Sequence, residues 1–428
     1  MKVNKRNIVL SLIACTCLAP VSGQHVYTLD ECINSALKYN VKVRNAENDL
    51  EMAKHDKKEA FTKYFPNISA VGSGFIANEP LVQMQMSPEA KMEMLKDGML
   101  GGISATMPLF TGGQIVNGNK LAELGVNMKA LQKKQTDDEV RLEVERYFWQ
   151  IVMLKEKLKT ISLVEKQLER LETDVQASVD AGIVTRNDLL QVQLKKNDVL
   201  SGKIQLENSL NVSLSLLGQY IGAKSDSIDV AFVVEEHLSE SPQTLFCNHT
   251  DAVERTNEYG LLKQNLQASK LQYKMAVGKN LPTVAIGGGL VYDNFVMGQD
   301  QSFYMGFVTV SVPISGWWGS THSIKKHKLQ VKNAENLLND NSEMLVIRMQ
   351  NVWNTLNDSY RKAEIALLSV EQSSENLRLN MDYYSAGTAT MSELLDAQTL
   401  YQQSRDKYVE AYTNYELSKR EYLQATGR

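Results

Sequence analysis

In the last third of the chain, residues suited to a helix core recur at alternating steps of three and four. Trp353, Leu356, Tyr360, Ala363, Leu367, Val370, Ser374, Leu377, Met381 and Tyr384 follow one another in this way, with Ser374 the polar exception. That is a heptad seam, and it predicts a long helix packed in coiled-coil fashion. A weaker seam runs through Ile151, Leu154, Leu158, Ile161, Leu168, Val175 and Val179. Both lie in proline-free stretches, one between Pro108 and Pro242 and one after Pro313. Leu, Glu, Lys, Gln and Ala, good helix formers, dominate these stretches. Helical throughout, residues 118–181 would span ~95 Å at 1.5 Å per residue.

Ahead of each helical stretch the pattern changes. Residues 68–75 and 102–109 in the first half, and 283–290 and 304–311 in the second, mix glycine, small polar and apolar positions. Pro66 and Pro282 open these segments, and Pro108 and Pro313 close them. The composition suits the wall of a transmembrane barrel, ~10 residues per strand, better than a soluble core. Four strands cannot close a conducting barrel, and open strand edges are not tolerated in lipid. A ring of several copies is therefore expected. Trp317 and Trp318 follow the fourth strand and suit either a membrane interface or a packed strand-to-helix corner.

The chain repeats itself. The segment Ala181-Gly182-Ile183-Val184-Thr185-Arg186-Asn187-Asp188-Leu189-Leu190 returns as Ala386-Gly387-Thr388-Ala389-Thr390-Met391-Ser392-Glu393-Leu394-Leu395. Pro108-Leu109 and Pro313-Ile314 recur at the same offset. A duplication constrains the whole architecture. Glycine in the αL conformation closes a helix. Thr185 and Thr390 are placed as N-caps of the next helix, with Asp188 and Glu393 at the capping-box position. Each copy thus predicts a tight helical hairpin.

Composition excludes several classes. Net charge is −4 with 22% charged residues, so no basic field points to nucleic acid. Past the N-terminus no apolar run reaches the roughly 20 residues of a membrane helix. At the N-terminus, Lys2, Lys5 and Arg6 precede an apolar run and small residues before Gln24, which reads as a signal peptide over 1–23. Lipidation at Cys15, from the Leu12-Ile13-Ala14-Cys15 box, is the competing reading. The first structural repeat is expected over 24–221, an inter-repeat segment over 222–250 and the second repeat over 251–428. Cys32 and Cys247 allow a disulfide in an oxidising compartment; buried free thiols are the other reading.

No enzyme inventory emerges. The six histidines show no metal-binding spacing. His322 and His327, among Lys325, Lys326 and Lys328, read as a wet basic turn. Gly287-Gly288-Gly289 lacks the following helix of a phosphate loop. The methionines of 78–98, Met84, Met86, Met92 and Met94, with Met99 just beyond, suit surface packing or cell-exterior contact more than soft-metal capture. No cofactor and no catalytic residue is expected.

A duplicated strand–loop–strand, long helix, Ala-Gly break with Thr and Leu-Leu, and returning helix closely resembles the TolC family of outer-membrane efflux proteins. Leu29-Asp30-Glu31-Cys32, Tyr64-Phe65-Pro66 and Leu281-Pro282 fit as well. The resemblance implies a mainly α fold with a small β part. Three chains would form a homotrimer whose transmembrane β-barrel, four strands per chain, continues as a periplasmic α-barrel of coiled-coil helices. It implies an exit duct in the outer membrane of a Gram-negative bacterium, in contact with its lipid. A periplasmic adaptor (membrane fusion) protein would dock on the hairpin tips at Ala181, Gly182, Thr185, Ala386, Gly387 and Thr390. An inner-membrane pump, proton-driven or ABC type, would supply the substrate. Glu393 and Asp396 fall where the family narrows its inner end, and Asp188 and Tyr384 where it holds the closed state. A basic partner of the best-known members is replaced by Ala389, for which Arg186 could substitute. A structural periplasmic coiled coil without channel activity is the alternative.

Overall fold

The computed structural model describes residues 25–428, except 81, 89, 95, 224–227, 233, 235–237, 239, 297, 298 and 315. The signal segment and Cys15 lie outside the described residues. The elements are β1 His25–Tyr27, α1 Leu29–Tyr39, α2 Val41–Thr62, β2 Asn67–Ile76, β3 Val82–Ser87, β4 Ala90–Met94, β5 Asp97–Thr111, α3 Gln114–Asp180 and α4 Arg186–Ile221. After β6 Ile228–Val230 come α5 His249–Ala252, α6 Asn257–Gly278, β7 Thr283–Val296, β8 Gln299–Ser311, α7 Gly316–Ser385 and α8 Met391–Ala425. Helices dominate, as the two proline-free stretches require. The Met-rich insertion forms its own two-stranded hairpin, β3 with β4. The lysine- and histidine-rich segment expected as a turn lies inside α7, because no proline or glycine interrupts it after Gly319.

Two compact units emerge. One comprises Met1–Ala36, Val144–Glu236 and Ala366–Thr413; the other comprises Leu37–Glu143, His237–Ile365 and Asn414–Arg428.

The second unit contains an antiparallel sheet in the order β2-β5-β7-β8. Among the described residues, β2 and β8 each leave one edge unpaired. Glycine lets the strands approach: a Cβ at Gly289 would lie 2.3 Å from the Ile103 carbonyl oxygen, and one at Gly102 2.7 Å from that of Leu290. The unit's helical part is centred on Trp353, Leu356, Tyr415 and Tyr422. There the Tyr422 hydroxyl accepts from the Cys247 amide (3.2 Å) and meets His249 Nε2 at 3.1 Å. Burial pushes this phenol up to about 12.

The first unit holds the ends of the helical hairpins. Its core joins Ile161, Val164, Leu168 and Val175 of α3, Leu189, Val192 and Val199 of α4, and Met391 and Leu395 of α8. Ion pairs tie α3 to α4 along their flank, Lys196 to Glu172 at 2.9 Å and Lys203 to Glu165 at 2.6 Å. Cys32 is fully buried, which pushes its thiol up to about 12, and among the described residues Cys32 and Cys247 are free thiols.

One expectation needs correction. The α7 stripe keeps Trp353, Leu356, Ala363 and Leu377 buried, but beyond Trp353 its alternate column is displaced by one residue, and Met381 is exposed. Ser359, Ala366 and Ser373 are buried where Tyr360, Leu367 and Ser374 were expected. Small residues on the seam let helices approach closely. The bulkier Tyr360 and Leu367 sit half-buried beside it. Hydrophobicity alone marks the larger side chain; packing selects the smaller.

Candidate functional site: two helical turns and a strand wall

The two turns of the first unit have the same backbone geometry. In the first, the Ile183 amide donates to the Ser178 carbonyl (2.8 Å) and the Gly182 amide to Val179 (2.9 Å). In the second, Thr388 donates to Tyr383 (2.9 Å) and Gly387 to Tyr384 (3.0 Å). These are paired Schellman bonds, which satisfy carbonyls that a helix end leaves open. Gly182 and Gly387 have φ of 74° and 72°, and a Cβ on either would meet nothing within 4 Å. Glycine is there for its backbone angle, not for space.

Each turn then starts the next helix with a capping box. The Thr185 amide and hydroxyl both donate to Asp188 Oδ2, at 3.0 and 2.8 Å, and the Asp188 amide returns a bond to Thr185 Oγ1 at 3.3 Å. The Thr390 amide and hydroxyl donate to Glu393 Oε2 at 2.7 and 2.9 Å, and the Glu393 amide returns one at 3.3 Å. The backbone and hydroxyl of Thr390 hold the Glu393 carboxyl below the usual glutamate range.

Chemistry distinguishes the turns. Arg186, at the first position of α4, is exposed and makes no ion pair among the described residues. Its counterpart Met391 is 2% exposed and packs into the unit's core. Tyr384 is half-buried against that core; burial first, and then the charge of Asp188, push its phenol upward. No hydrogen bond joins Asp188 and Tyr384 among the described residues; the Asp188 carboxylate accepts from Thr185 instead. Asp396 stands exposed one turn beyond Glu393 on α8. Ala181 and Ala386 are exposed at the two tips. Sequence reasoning missed Met391 as a core residue. Its signal was available: an apolar residue at the start of a helix where the other copy has arginine.

The strand wall of the second unit has two unlike faces. Registered pairing puts Ile68, Ala70, Ile103, Ala105, Ile286, Leu290, Tyr304 and Val308 on one side. Exposure on that side is high, 71% for Ile68, 87% for Tyr304 and 69% for Val308. The opposite side mixes Asn67, Ser69, Ser73, Ser104, Thr106 and Thr309 with Val71, Phe303 and Met305, and the Ser69 and Ser104 hydroxyls lie 3.1 Å apart. Phe307 covers Gly287 on this side: a Cβ there would lie 2.4 Å from its ring. An apolar face open to its surroundings, with the strand hydroxyls gathered on the mixed face behind it, suits a membrane barrel wall. Among the described residues no helix is long and apolar enough to cross a membrane, and no His/Cys/Asp/Glu group could hold a metal ion.

The family model for outer membrane efflux protein matches residues 32–223 and 261–428. The chain belongs to the outer membrane efflux protein family. Outer membrane protein TolC of Escherichia coli (strain K12) is 21% identical over 266 residues, 58% of this chain and 53% of that protein. The chain thus spans about half the length of the curated relative it matches. The Campylobacter jejuni CmeC outer membrane channel has a TM-score of 0.78 at 12% identity, covering 100% of this chain and 93% of that one. The open state of the Neisseria gonorrhoeae MtrE outer membrane channel has a TM-score of 0.73 at 14% identity, covering 93% and 88%. These structures share the fold. Family membership places the chain in the Gram-negative outer membrane, in a family of efflux channels and not of enzymes.

Proposed function

We propose that three copies of this chain form a passive exit duct through the outer membrane, each giving four strands to one twelve-stranded barrel. One observation carries this: a sheet with an apolar outer face and two unpaired edges. Lipid offers no partner for those edges, so β8 of one copy must pair with β2 of the next until the ring closes. The two helical hairpins would extend into the periplasm, with the repeats 24–221 and 251–428 as quasi-equivalent parts of the wall. The tips at Ala181, Gly182, Thr185, Ala386, Gly387 and Thr390 would meet a periplasmic adaptor. An inner-membrane pump, proton-driven or ABC type, would deliver the substrate.

In this reading the inner end is a gate. Glu393 and Asp396, repeated three times, make two carboxylate rings that favour cations. Asp188, whose charge acts on Tyr384, would help to hold the closed state, and exposed Arg186 is a charge available to a neighbouring acid. Because Asp188 also caps α4, alanine there would remove two functions at once. Asp188→Asn keeps an oxygen for the Thr185 amide and removes the charge.

Cell fractionation with unheated electrophoresis tests the assembly: outer-membrane material running as a trimer is expected, and a soluble monomer would refute the duct. Planar-bilayer recordings test the gate. Asp188→Asn should raise the open conductance or its frequency, and Glu393→Gln with Asp396→Asn should reduce cation preference. Unchanged currents in both would remove the gate from these residues.

A further inference from the structure

Shortly beyond the repeated Leu-Leu, both hairpins carry a glutamine at the equivalent place, Gln193 in α4 and Gln398 in α8. In the first hairpin the amide is answered from the facing helix. Gln193 Nε2 donates to Glu172 Oε1 at 3.1 Å, and Lys196 Nζ to Glu172 Oε2 at 2.9 Å. Lys196 first, and then Gln193, hold the Glu172 carboxyl below the usual glutamate range. The second hairpin keeps the amide without that partner. Leu377 stands where Glu172 does, and Tyr401 where Lys196 does. Gln398 is 4% exposed, and its Nε2 is buried with no hydrogen-bond partner among the described residues.

Its neighbours along α8 show what the amide is set among. By helix period Gln398 shares a face with Met391, Leu394 and Leu395. Met391 and Leu395 pack with α3 and α4 in one core, while Leu394 packs with Leu377 of α7 and Leu171 of α3 in another. This face of α8 is therefore where the second hairpin grips the first. The chain itself covers the Gln398 amide, so a further copy packed against the outside would not reach it. A buried donor that bonds to nothing penalises the arrangement that buries it. A shift of α8 that lets water reach the amide removes that penalty. A polar residue at a helix seam lowers stability, and it fixes register only when a partner answers it.

We propose that Gln398 is a positioning residue of the gate: its unanswered amide weakens the grip of α8 on α3, so that the second hairpin parts from the first more readily. The inference rests on reading the hairpin ends as the gate of a duct. The duplication supplies the contrast, since the same glutamine fastens α4 to α3 in one copy and loosens α8 in the other.

The test compares the two glutamines in the full-length protein, by hydrogen exchange and by planar-bilayer recording. Methionine keeps nearly the shape of glutamine and removes the amide. Gln398→Met should slow exchange over the first turns of α8 about threefold or more and lower the frequency of channel openings by a similar factor. Gln398→Leu should do the same. Gln193→Met, which takes a bond from Glu172, should instead speed exchange in α4. Faster exchange in both Gln398 variants would mean that the amide is bonded in solution, and would overturn the proposal while leaving the gate reading intact. Changes of the same sign at Gln193 and Gln398 would overturn it as well. So would slower exchange with unchanged openings, because the grip of α8 would then not limit opening. Absence of any channel in wild type would overturn the duct reading, and the proposal with it.

Discussion

The two hairpin turns share a backbone and differ in what they carry. Both end a helix on an αL glycine with the same pair of Schellman bonds, and both begin the next with a threonine–carboxylate capping box. Yet the residue after the threonine is an exposed arginine in one copy and a buried methionine in the other. Turn geometry depends on a few backbone-determining positions, and the remaining positions are free to diverge. The duplication preserved the hinge and altered its surroundings.

The largest effect should come from the position that differs most. Met391→Ala removes a side chain from the core of the first unit and should cost about 2–5 kcal/mol, as buried Met→Ala changes do. Arg186→Met, at the equivalent place, should stay within about 0.5 kcal/mol because the site is exposed. Hydrogen exchange along α4 and α8 reads both; equal losses would break the comparison.

The shared glycines should behave alike. Gly182→Ala and Gly387→Ala should each cost about 1–2 kcal/mol, the penalty for a side chain in the left-handed region. With no atom near either Cβ position, a large difference between the two would mean that the turns differ in packing, not only in chemistry. Thr185→Ala and Thr390→Ala should follow at about 1 kcal/mol each, read as faster exchange in the first turn of the following helix, with serine restoring most of the loss.

Smallest is a pH effect confined to the second turn's cap. Glu393 has its carboxyl depressed by the Thr390 amide and hydroxyl. A depressed carboxylate stabilises above its unfolded value, and that contribution is lost as pH falls through the folded value. Protection in the first turn of α8 should therefore decline in the acid range below the usual glutamate pKa, and Glu393→Gln should remove that dependence.

Much of the architecture was legible from residue spacing. The αL glycines, the capping threonines, the four strands and the heptad period all reflect local rules that act within a few residues, so a sequence displays them directly. The coiled-coil seam was read one residue off in its alternate column. Tyr360 and Leu367 are the more hydrophobic, while Ser359 and Ala366 are the ones a close neighbour leaves room for. The basic run at Lys325–Lys332 was visible, but as a turn; the structure places it inside α7, because helix continuity there depends on a long uninterrupted stretch and not on its charge.

By itself, then, the sequence determined the repeat, the hairpins and the period of each element, because these depend on backbone preferences and near neighbours. Tertiary structure decided which side of a seam is buried, that Tyr384 packs against the first unit's core, and that Met391 belongs to that core while Arg186 does not. Those outcomes depend on residues far apart in the chain competing for one space, which no local pattern encodes.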